Sequence, residues 1–188
     1  MDKRKSLAVK IVVPLLIVVA IVTIYIVKNT TNKTDDSEII QTSPTAGLSD
    51  DLKNADFSLR ETNAVDFEQL SSYGLPIIVD YGADTCIPCK EMAPVLEKAN
   101  KEFEGKAFIK FINVWDYPDA AKNVPVQVIP TQVLFNADGT PFVPSDELSS
   151  QIEFSMYQDD NQKHIFTTHQ GGLTEEQMWK ILKEMGVE

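Results

Sequence analysis

The hydrophobic positions of the chain divide it into three parts. Residues 11–27 form an apolar run without a charged residue, and residues 29–53 are rich in threonine, asparagine, serine and aspartate. From residue 56 onward, short apolar runs alternate with segments in which apolar residues recur at helical spacing. The pattern therefore predicts an N-terminal tail with a transmembrane signal-anchor over residues 1–28, a flexible linker over 29–55 and one folded domain over 56–188.

Within the folded domain, the pattern predicts strands that alternate with helices and end in a late antiparallel pair. The predicted strands cover residues 57–60, 77–79, 107–114, 127–136, 152–157 and 164–168. The predicted helices cover residues 66–72, a segment after Cys89 with Met92, Leu96 and Phe103 on its apolar side, residues 116–122, and a last helix that begins at a capping box of Thr174 and Gln177. This order is typical of an α/β domain with a mixed central sheet flanked by helices.

The apolar run at residues 11–27 is close to the minimum length for a helix that spans a bilayer. A cleaved signal peptide is the alternative, but no small-residue cleavage pattern such as Ala-X-Ala follows the run. Most of the flanking basic residues precede the run, namely Lys3, Arg4, Lys5 and Lys10, and this asymmetry predicts a cytoplasmic N-terminus. We therefore expect a single-pass protein of the cell membrane whose folded domain is extracytoplasmic.

The only two cysteines, Cys86 and Cys89, are two residues apart and lie between the apolar run at 77–79 and a helical pattern. Free backbone N–H groups and the helix dipole at such a junction favour a thiolate, so Cys86 is the predicted attacking nucleophile. Cys89, one turn further into the helix, is the predicted resolving thiol, which attacks the mixed disulfide. Asp80 follows the apolar run directly, and a carboxylate in such a place calls for a structural or functional reason.

This stretch resembles the thioredoxin superfamily, and the resemblance covers residues 57–187. Asp80 lies six residues before Cys86, where thioredoxins carry a buried aspartate, and Pro94 lies where they carry a proline in the active-site helix. Later landmarks in the family's order are Ile129-Pro130-Thr131, Asp138-Gly139 and Gly172-Leu173-Thr174. The resemblance implies a thioredoxin fold with an insertion, residues 141–163, before the last strand.

The resemblance also implies roles for residues around the cysteines. Asp80 would be a catalytic residue that exchanges a proton with Cys89, since burial would raise the pKa of its carboxyl group. The peptide bond before Pro130 would be cis, and Ile129 would present its backbone to the substrate chain as an added strand does. The predicted substrate-binding residues are Ile129, Pro130, Ile87 and Pro88.

Some positions depart from the family. Gly82 and Thr85 stand where thioredoxins usually carry tryptophan, so the surface that meets substrates is expected to differ. Many thioredoxins carry a lysine near the buried aspartate. The candidates for the place of that lysine are Lys110, which is close to it, Phe111 and Ile112.

The charge of the chain is unevenly distributed. The first 34 residues hold six of the 17 basic and one of the 28 acidic residues, so the remainder carries a formal charge of −16. Such a surface repels nucleic acids and anionic lipids. We therefore expect no nucleic-acid partner.

A structural zinc site is an alternative for the cysteines, with His164 and His169 as further ligands. More than seventy residues separate the two pairs, whereas zinc fingers separate theirs by about a dozen. A purely structural disulfide is disfavoured because an oxidising compartment would normally add further cysteines as bracing. We therefore expect no metal and no cofactor other than a redox-active Cys86–Cys89 disulfide.

The sequence thus predicts an extracytoplasmic thiol–disulfide oxidoreductase that acts on disulfide-containing proteins. By resemblance, Pro88 and Ile129 favour the reducing direction, with electrons supplied by a polytopic membrane thiol transporter. Two alternatives stay open. One is a disulfide oxidase or isomerase, and the other is a non-catalytic thioredoxin-fold binding module that holds a partner through residues 141–163.

Overall fold

The computed structural model describes residues 50–188, which form a six-stranded mixed sheet with helices on both faces. The strands are β1 (Arg60–Glu61), β2 (Ile77–Gly82), β3 (Phe108–Asn113), β4 (Thr131–Phe135), β5 (Ser155–Gln158) and β6 (His164–Gln170). The α-helices are α1 (Phe67–Ser71), α2 (Ile87–Glu102), α3 (Asp146–Ser149) and α4 (Glu175–Glu184), and 3-10 helices span Asp50–Asn54 and Pro118–Ala121. The order across the sheet is β1, β3, β2, β4, β6, β5.

Strand β2 lies in the middle of the sheet, parallel to β3 and antiparallel to β4. All six of its residues are buried. The β-branched side chains of Ile77, Ile78 and Val79 favour an extended backbone and fill the core on both faces. The prediction of a strand buried on both sides is therefore confirmed, and it places Asp80 in the interior.

The two faces of the sheet have separate hydrophobic cores. On one face, α2 and α4 cover the sheet with buried side chains such as Met92 and Ile181. On the other face, α1 and the second 3-10 helix pack against a cluster that includes Tyr81. Since successive residues of a strand point to opposite faces, Asp80 lies on the α2 side and Lys110 on the other.

The first predicted strand, residues 57–60, is shifted along the chain. The structure has a two-residue strand, Arg60–Glu61, which pairs with β3. Phe57 lies outside this strand, and its ring stacks on the Phe108 ring of β3 with the centroids 4.7 Å apart. The predicted helix over residues 116–122 is a single 3-10 turn over Pro118–Ala121.

Two later boundaries follow from the chemistry of single residues. Strand β4 begins at Thr131 rather than at residue 127, since Pro130 has no N–H group to donate to the ladder. The last helix begins as predicted, because the Thr174 hydroxyl accepts from the Gln177 N–H and the Gln177 side chain accepts from the Thr174 N–H. The predicted capping box is therefore confirmed.

The predicted insertion, residues 141–163, is folded into the domain. It contains α3 and the strand β5, which pairs antiparallel with β6 and forms one edge of the sheet. Leu148 and Ile152 are buried in the same core as α2 and α4. Ser145 caps α3 and donates its hydroxyl to Glu184 of α4 at 2.8 Å. The insertion thus extends the sheet by one edge strand.

None of the helices within residues 50–188 is long and apolar enough to cross a membrane. The predicted anchor at residues 11–27 and most of the predicted linker, 29–55, lie outside the described residues. The boundaries of the three predicted parts of the chain stay predictions.

Candidate active site

The two cysteines lie where β2 passes into α2. A loop of residues 83–85 follows β2, and Cys86 is the N-cap residue of α2. The Cys86 carbonyl accepts a hydrogen bond from the Lys90 N–H at 3.0 Å, which begins the helical pattern. Cys86 and Cys89 form a disulfide, and their Cα atoms are 5.3 Å apart. The predicted change from strand to helix at the cysteines is confirmed.

The two cysteines differ in exposure. Cys86 is partly exposed at the end of the helix, whereas Cys89, one turn further in, is only 4% exposed. Ile87 is 73% exposed, and the exposed Pro88 lies in the first turn of α2, where a missing N–H removes no helical bond. The arrangement presents one sulfur to an approaching disulfide and keeps the other behind it.

The loop before β4 lies directly against Cys86. The Ile129–Pro130 peptide bond is cis, and the Ile129 carbonyl oxygen is 3.9 Å from Cys86 Sγ. Pro130 is buried, and its carbonyl accepts from the Gly171 N–H at 2.8 Å. The structure therefore brings the predicted substrate-binding residues together around Cys86, with Ile87 and Pro88 on α2 and Ile129 and Pro130 on this loop.

An open cavity of about 360 Å³ adjoins the Ile129 loop. It is lined by Val114, Trp115, Pro118, Ala121, Val126, Gln127, Val128 and Ile129. Trp115 is 61% exposed, so the cavity offers a large apolar surface to solvent. No motif marks this cavity. The one signal in the sequence is the position of Trp115 just after β3. Strands β2 and β3 are parallel and end at the same edge of the sheet, so Trp115 lies at the edge where β2 leads to the cysteines.

Asp80 lies behind the cysteines in a row of four side chains that crosses the sheet. In the strand register, Phe111 of β3 is beside Asp80, Gln132 of β4 is on its other side, and His169 of β6 is beyond Gln132. All four residues are buried. Gln132 Nε2 donates to Asp80 Oδ1 at 2.6 Å, and Asp80 Oδ2 has no hydrogen-bond partner among the described residues.

Burial raises the pKa of Asp80 to about 7, while the hydrogen bond from Gln132 acts in the opposite direction because it favours the carboxylate. Asp80 therefore changes its protonation near neutral pH, as a group that accepts and returns a proton must. An atom at the Cβ position of Gly82 would lie 3.1 Å from Asp80 Oδ2 and 3.3 Å from Cys89 Sγ. The carboxyl group and the buried sulfur thus face the same small space.

Of the three candidates for the family's lysine, Phe111 is the residue opposite Asp80. Lys110 lies on the other face of the sheet, where its Nζ donates to Glu61 Oε1 at 2.6 Å and to two backbone carbonyls at 2.8 Å. Asp80 therefore has an aromatic ring beside it instead of an ammonium group. This is why burial, rather than a neighbouring positive charge, dominates the pKa of Asp80.

The two positions without the family's tryptophans differ in their surroundings. Thr85 is exposed, whereas Gly82 is buried, and a Cβ atom there would lie 2.9 Å from Phe111 Cε2. A side chain at position 82 would thus collide with the Phe111 ring. The loop between the two positions is held by an ion pair of 2.9 Å between Asp84 and Arg60, and the Arg60 guanidinium lies 5.0 Å from the centre of the Phe111 ring.

Within residues 50–188, no group of three or more histidine, cysteine, aspartate or glutamate side chains is placed to hold a metal ion. The imidazole of His164 bonds to the hydroxyl of Thr167, and His169 Nδ1 bonds to the carbonyl of Glu153. In this part of the chain, the two histidines and the cysteines do not come together as a zinc site.

A family model described as Thioredoxin matches residues 58–159, which is more than half of the chain. The chain belongs to the thioredoxin family. The matched segment of this thioredoxin-family chain contains Asp80, both cysteines and the Ile129–Pro130 bond. It also reaches into the insertion.

Three curated relatives of the chain come from bacteria. Thioredoxin of Staphylococcus aureus is 36% identical over 94 residues, which cover 47% of this chain and 88% of that protein. Thioredoxin 1 of Chlorobaculum tepidum is 43% identical over 61 residues, with 32% and 60% covered. A bifunctional thioredoxin reductase/thioredoxin of Mycobacterium leprae is 34% identical over 106 residues, with 56% and 23% covered. The chain thus spans less than two thirds of the last two proteins.

Among solved structures, Fasciola hepatica thioredoxin is 22% identical, with a TM-score of 0.47 and coverage of 68% of this chain and 99% of the other. Chloroplastic thioredoxin z is 22% identical, with a TM-score of 0.42 and coverage of 67% and 95%. The family assignment rests on the family model and on the staphylococcal relative.

The predicted α/β thioredoxin fold with a mixed sheet is confirmed, and so is the prediction of a thiol–disulfide oxidoreductase. The roles of Cys86, Cys89 and Asp80 in the reaction stay predictions, as do those of the four substrate-binding residues.

Replacement of Asp80 by asparagine tests the buried carboxyl group. Since the pKa of Asp80 in the folded protein, about 7, lies above its ordinary value of 3.8, the group stabilises the fold at low pH, and this contribution is lost as the pH rises through 7. We expect the free energy of unfolding of Asp80→Asn, relative to the unaltered protein, to increase by up to about 4 kcal/mol between about pH 4 and about pH 8.

Urea unfolding of the oxidised proteins across this pH range measures the difference. The matched control is Asp84→Asn. The hydrogen bond from Arg60 lowers the pKa of Asp84, so this exposed group stabilises the fold at high pH and its replacement should act weakly in the opposite direction. A stability difference for Asp80→Asn that does not vary with pH would contradict the expectation.

Proposed function

We propose that this thioredoxin-family protein is tethered to the cell membrane through residues 11–27 and reduces disulfides of partner proteins outside the cytoplasm. The observation that carries the redox part is the unequal placement of the two sulfurs. Cys86 is partly exposed at the N-terminus of α2, and Cys89 is buried behind it, facing the same space as Asp80. Such an arrangement suits one thiol to attack and the other to resolve.

In the reduced protein, the Cys86 thiolate attacks one sulfur of a substrate disulfide. The substrate S–S bond breaks as the bond to Cys86 forms, and the departing sulfur takes a proton from solvent. The positive end of α2 favours the thiolate form of Cys86. The Ile129 carbonyl, 3.9 Å from Cys86 Sγ, supports this step, since a substrate backbone that pairs with this loop would place its disulfide beside that sulfur.

Cys89 then resolves the mixed disulfide. The Asp80 carboxylate accepts the proton of the Cys89 thiol, and the resulting thiolate attacks Cys86 Sγ. The bond between Cys86 and the substrate breaks, and the second substrate sulfur leaves and is protonated. The products are a substrate dithiol and the Cys86–Cys89 disulfide, so the two electrons come from the cysteine pair.

Each turnover leaves the cysteine pair oxidised, so a donor must reduce it again. We assign this role to a polytopic membrane thiol transporter, which would carry electrons from the cytoplasm to the outer side. A domain held at the same membrane by a short tether would meet such a donor at high effective concentration. Disulfide-containing proteins are the proposed substrates, and the charge of −16 carried after residue 34 argues against nucleic acids.

Two other functions use features of the same domain. A disulfide oxidase or isomerase would run the same exchange in another direction, and the reduction potential distinguishes it from a reductase. A binding module would hold a partner through the insertion, where Val143 and Met156 are exposed apolar side chains.

Cysteine variants test the proposed reaction. Cys86→Ser is expected to reduce turnover of a protein disulfide substrate to background, because the attacking sulfur is lost. Cys89→Ala keeps that sulfur but cannot resolve the adduct, so it should accumulate mixed disulfides, visible on non-reducing gels and removed by dithiothreitol. The matched control is the double variant Cys86→Ser/Cys89→Ala, which should trap nothing. A Cys86→Ser protein that keeps both its partner and its phenotype would favour the binding module.

The reduction potential tests the direction. Equilibration of residues 50–188 with thiol–disulfide buffers should give a value near the roughly −270 mV of thioredoxin. The matched sample is Cys86→Ser, which cannot form the disulfide and corrects the signal for buffer effects. A potential near the roughly −120 mV of strong oxidants would mean that the protein inserts disulfides.

Labelling in intact cells tests the location of the full chain. Since Cys86 and Cys89 are the only cysteines, a maleimide that does not cross the cytoplasmic membrane should label the chain after treatment with an equally impermeant reductant. Cys86→Ser should lose most of this label, because Cys89 is buried. Labelling that occurs only after the cells are lysed would refute the extracytoplasmic location.

A further inference from the structure

Gln132 is the one polar side chain within residues 50–188 that hydrogen-bonds the Asp80 carboxyl group. Its Nε2 donates to Asp80 Oδ1 at 2.6 Å, and both side chains are completely buried. The Nε2 atom also lies 3.4 Å from Met92 Sδ of α2, so the amide contacts both Asp80 and the helix. The amide is therefore held between the helix that carries the cysteines and the strand that carries the carboxyl group.

The other groups around Asp80 leave the amide as its main electrostatic partner. The ring of Phe111 lies on the β3 side, and Arg60, which stacks on that ring, is paired with Asp84. The titratable neighbours are Cys89 on α2 and His169 on β6. Burial lowers the pKa of His169, which favours its neutral form, and its Nδ1 bonds to a backbone carbonyl.

We propose that Gln132 is a positioning residue for disulfide exchange: its amide orients the Asp80 carboxyl group toward Cys89 and sets the pH range in which the resolving thiol is deprotonated. This role rests on the proposed function of the cysteine pair. Because Oδ1 is engaged by Gln132, the free oxygen Oδ2 is the one that faces the space beside Gly82 and Cys89 Sγ.

An uncharged amide is suited to a group that changes its protonation. Donation from Nε2 stabilises the carboxylate without the strong bias that an adjacent ammonium group would impose. When Oδ2 takes up a proton, Oδ1 remains an acceptor, so Nε2 can donate to the neutral carboxyl group as well, with a weaker bond than to the carboxylate. The same side chain can therefore bond both states of the carboxyl group.

Gln132→Leu removes the amide and keeps a buried side chain of similar volume. Without the donor, the carboxylate is less favoured, so the carboxyl group should titrate at higher pH and be ionised in fewer molecules near neutrality. Carbon NMR of the Asp80 carboxyl group should show this displacement. In stopped-flow reduction of dithiobis-nitrobenzoate, the second thiolate released reports the Cys89 step, and we expect it to be about tenfold slower at pH 7 and to recover as the pH rises.

Two comparisons separate this role from packing. Release of the first thiolate, which reports attack by Cys86, should be unchanged in Gln132→Leu. The matched control is Thr168→Val, which removes a buried hydroxyl that has no hydrogen-bond partner within residues 50–188 and that lies on the opposite face of the same sheet. It should alter neither the titration of Asp80 nor the second release. If Gln132→Leu does not fold, Gln132→Met makes the same test with a side chain of equal length.

An unchanged titration of Asp80 in the variant would overturn the proposal, whatever happens to the rates. Equal slowing of both releases at every pH would also overturn it, since a packing defect would then explain the loss. If the unaltered protein does not reduce the reagent at all, the proposed function fails instead. The NMR titration would still decide whether Gln132 controls the protonation of Asp80.

Discussion

A carboxyl group buried in the central strand is the constraint on which the rest of the site depends. Burial of a charge without an opposite charge costs several kcal/mol, so Asp80 must be neutral part of the time or be bonded by its neighbours. Strand β3 offers the ring of Phe111, and β4 offers the amide of Gln132 at 2.6 Å. The balance between burial and this single bond keeps the pKa of Asp80 close to neutral pH.

The same strand fixes the relation between the carboxyl group and the sulfurs. From Asp80, β2 continues through Gly82 into the loop that starts α2, so the two cysteines follow at a distance set by a rigid strand and a rigid helix. The helix turn buries Cys89 while leaving Cys86 at the exposed end. The two cysteines thus differ in exposure because they lie one helical turn apart. The absence of a side chain at Gly82 leaves the space that Cys89 Sγ shares with the Asp80 carboxyl group.

Local signals were sufficient for part of this structure. The apolar run, the pair of cysteines at the helix start and the capping box at Thr174 each depend on a few neighbouring residues. The partners of Asp80 could not be found in that way. Choosing between Lys110 and Phe111 requires the strand register, because a shift of one residue exchanges the two faces of the sheet. The bond from Gln132 joins residues 52 positions apart.

Two departures from the family pattern, at positions 82 and 111, are one physical feature. A Cβ atom at Gly82 would lie 2.9 Å from the Phe111 ring, so the ring and a side chain at 82 exclude each other. The ring in turn supports Arg60, whose ion pair with Asp84 holds the loop before Cys86. In this chain, the phenylalanine at position 111 is therefore accompanied by a residue without a side chain at position 82. With the Phe111 ring rather than an ammonium group beside it, the carboxyl group of Asp80 is held by the Gln132 amide at 2.6 Å.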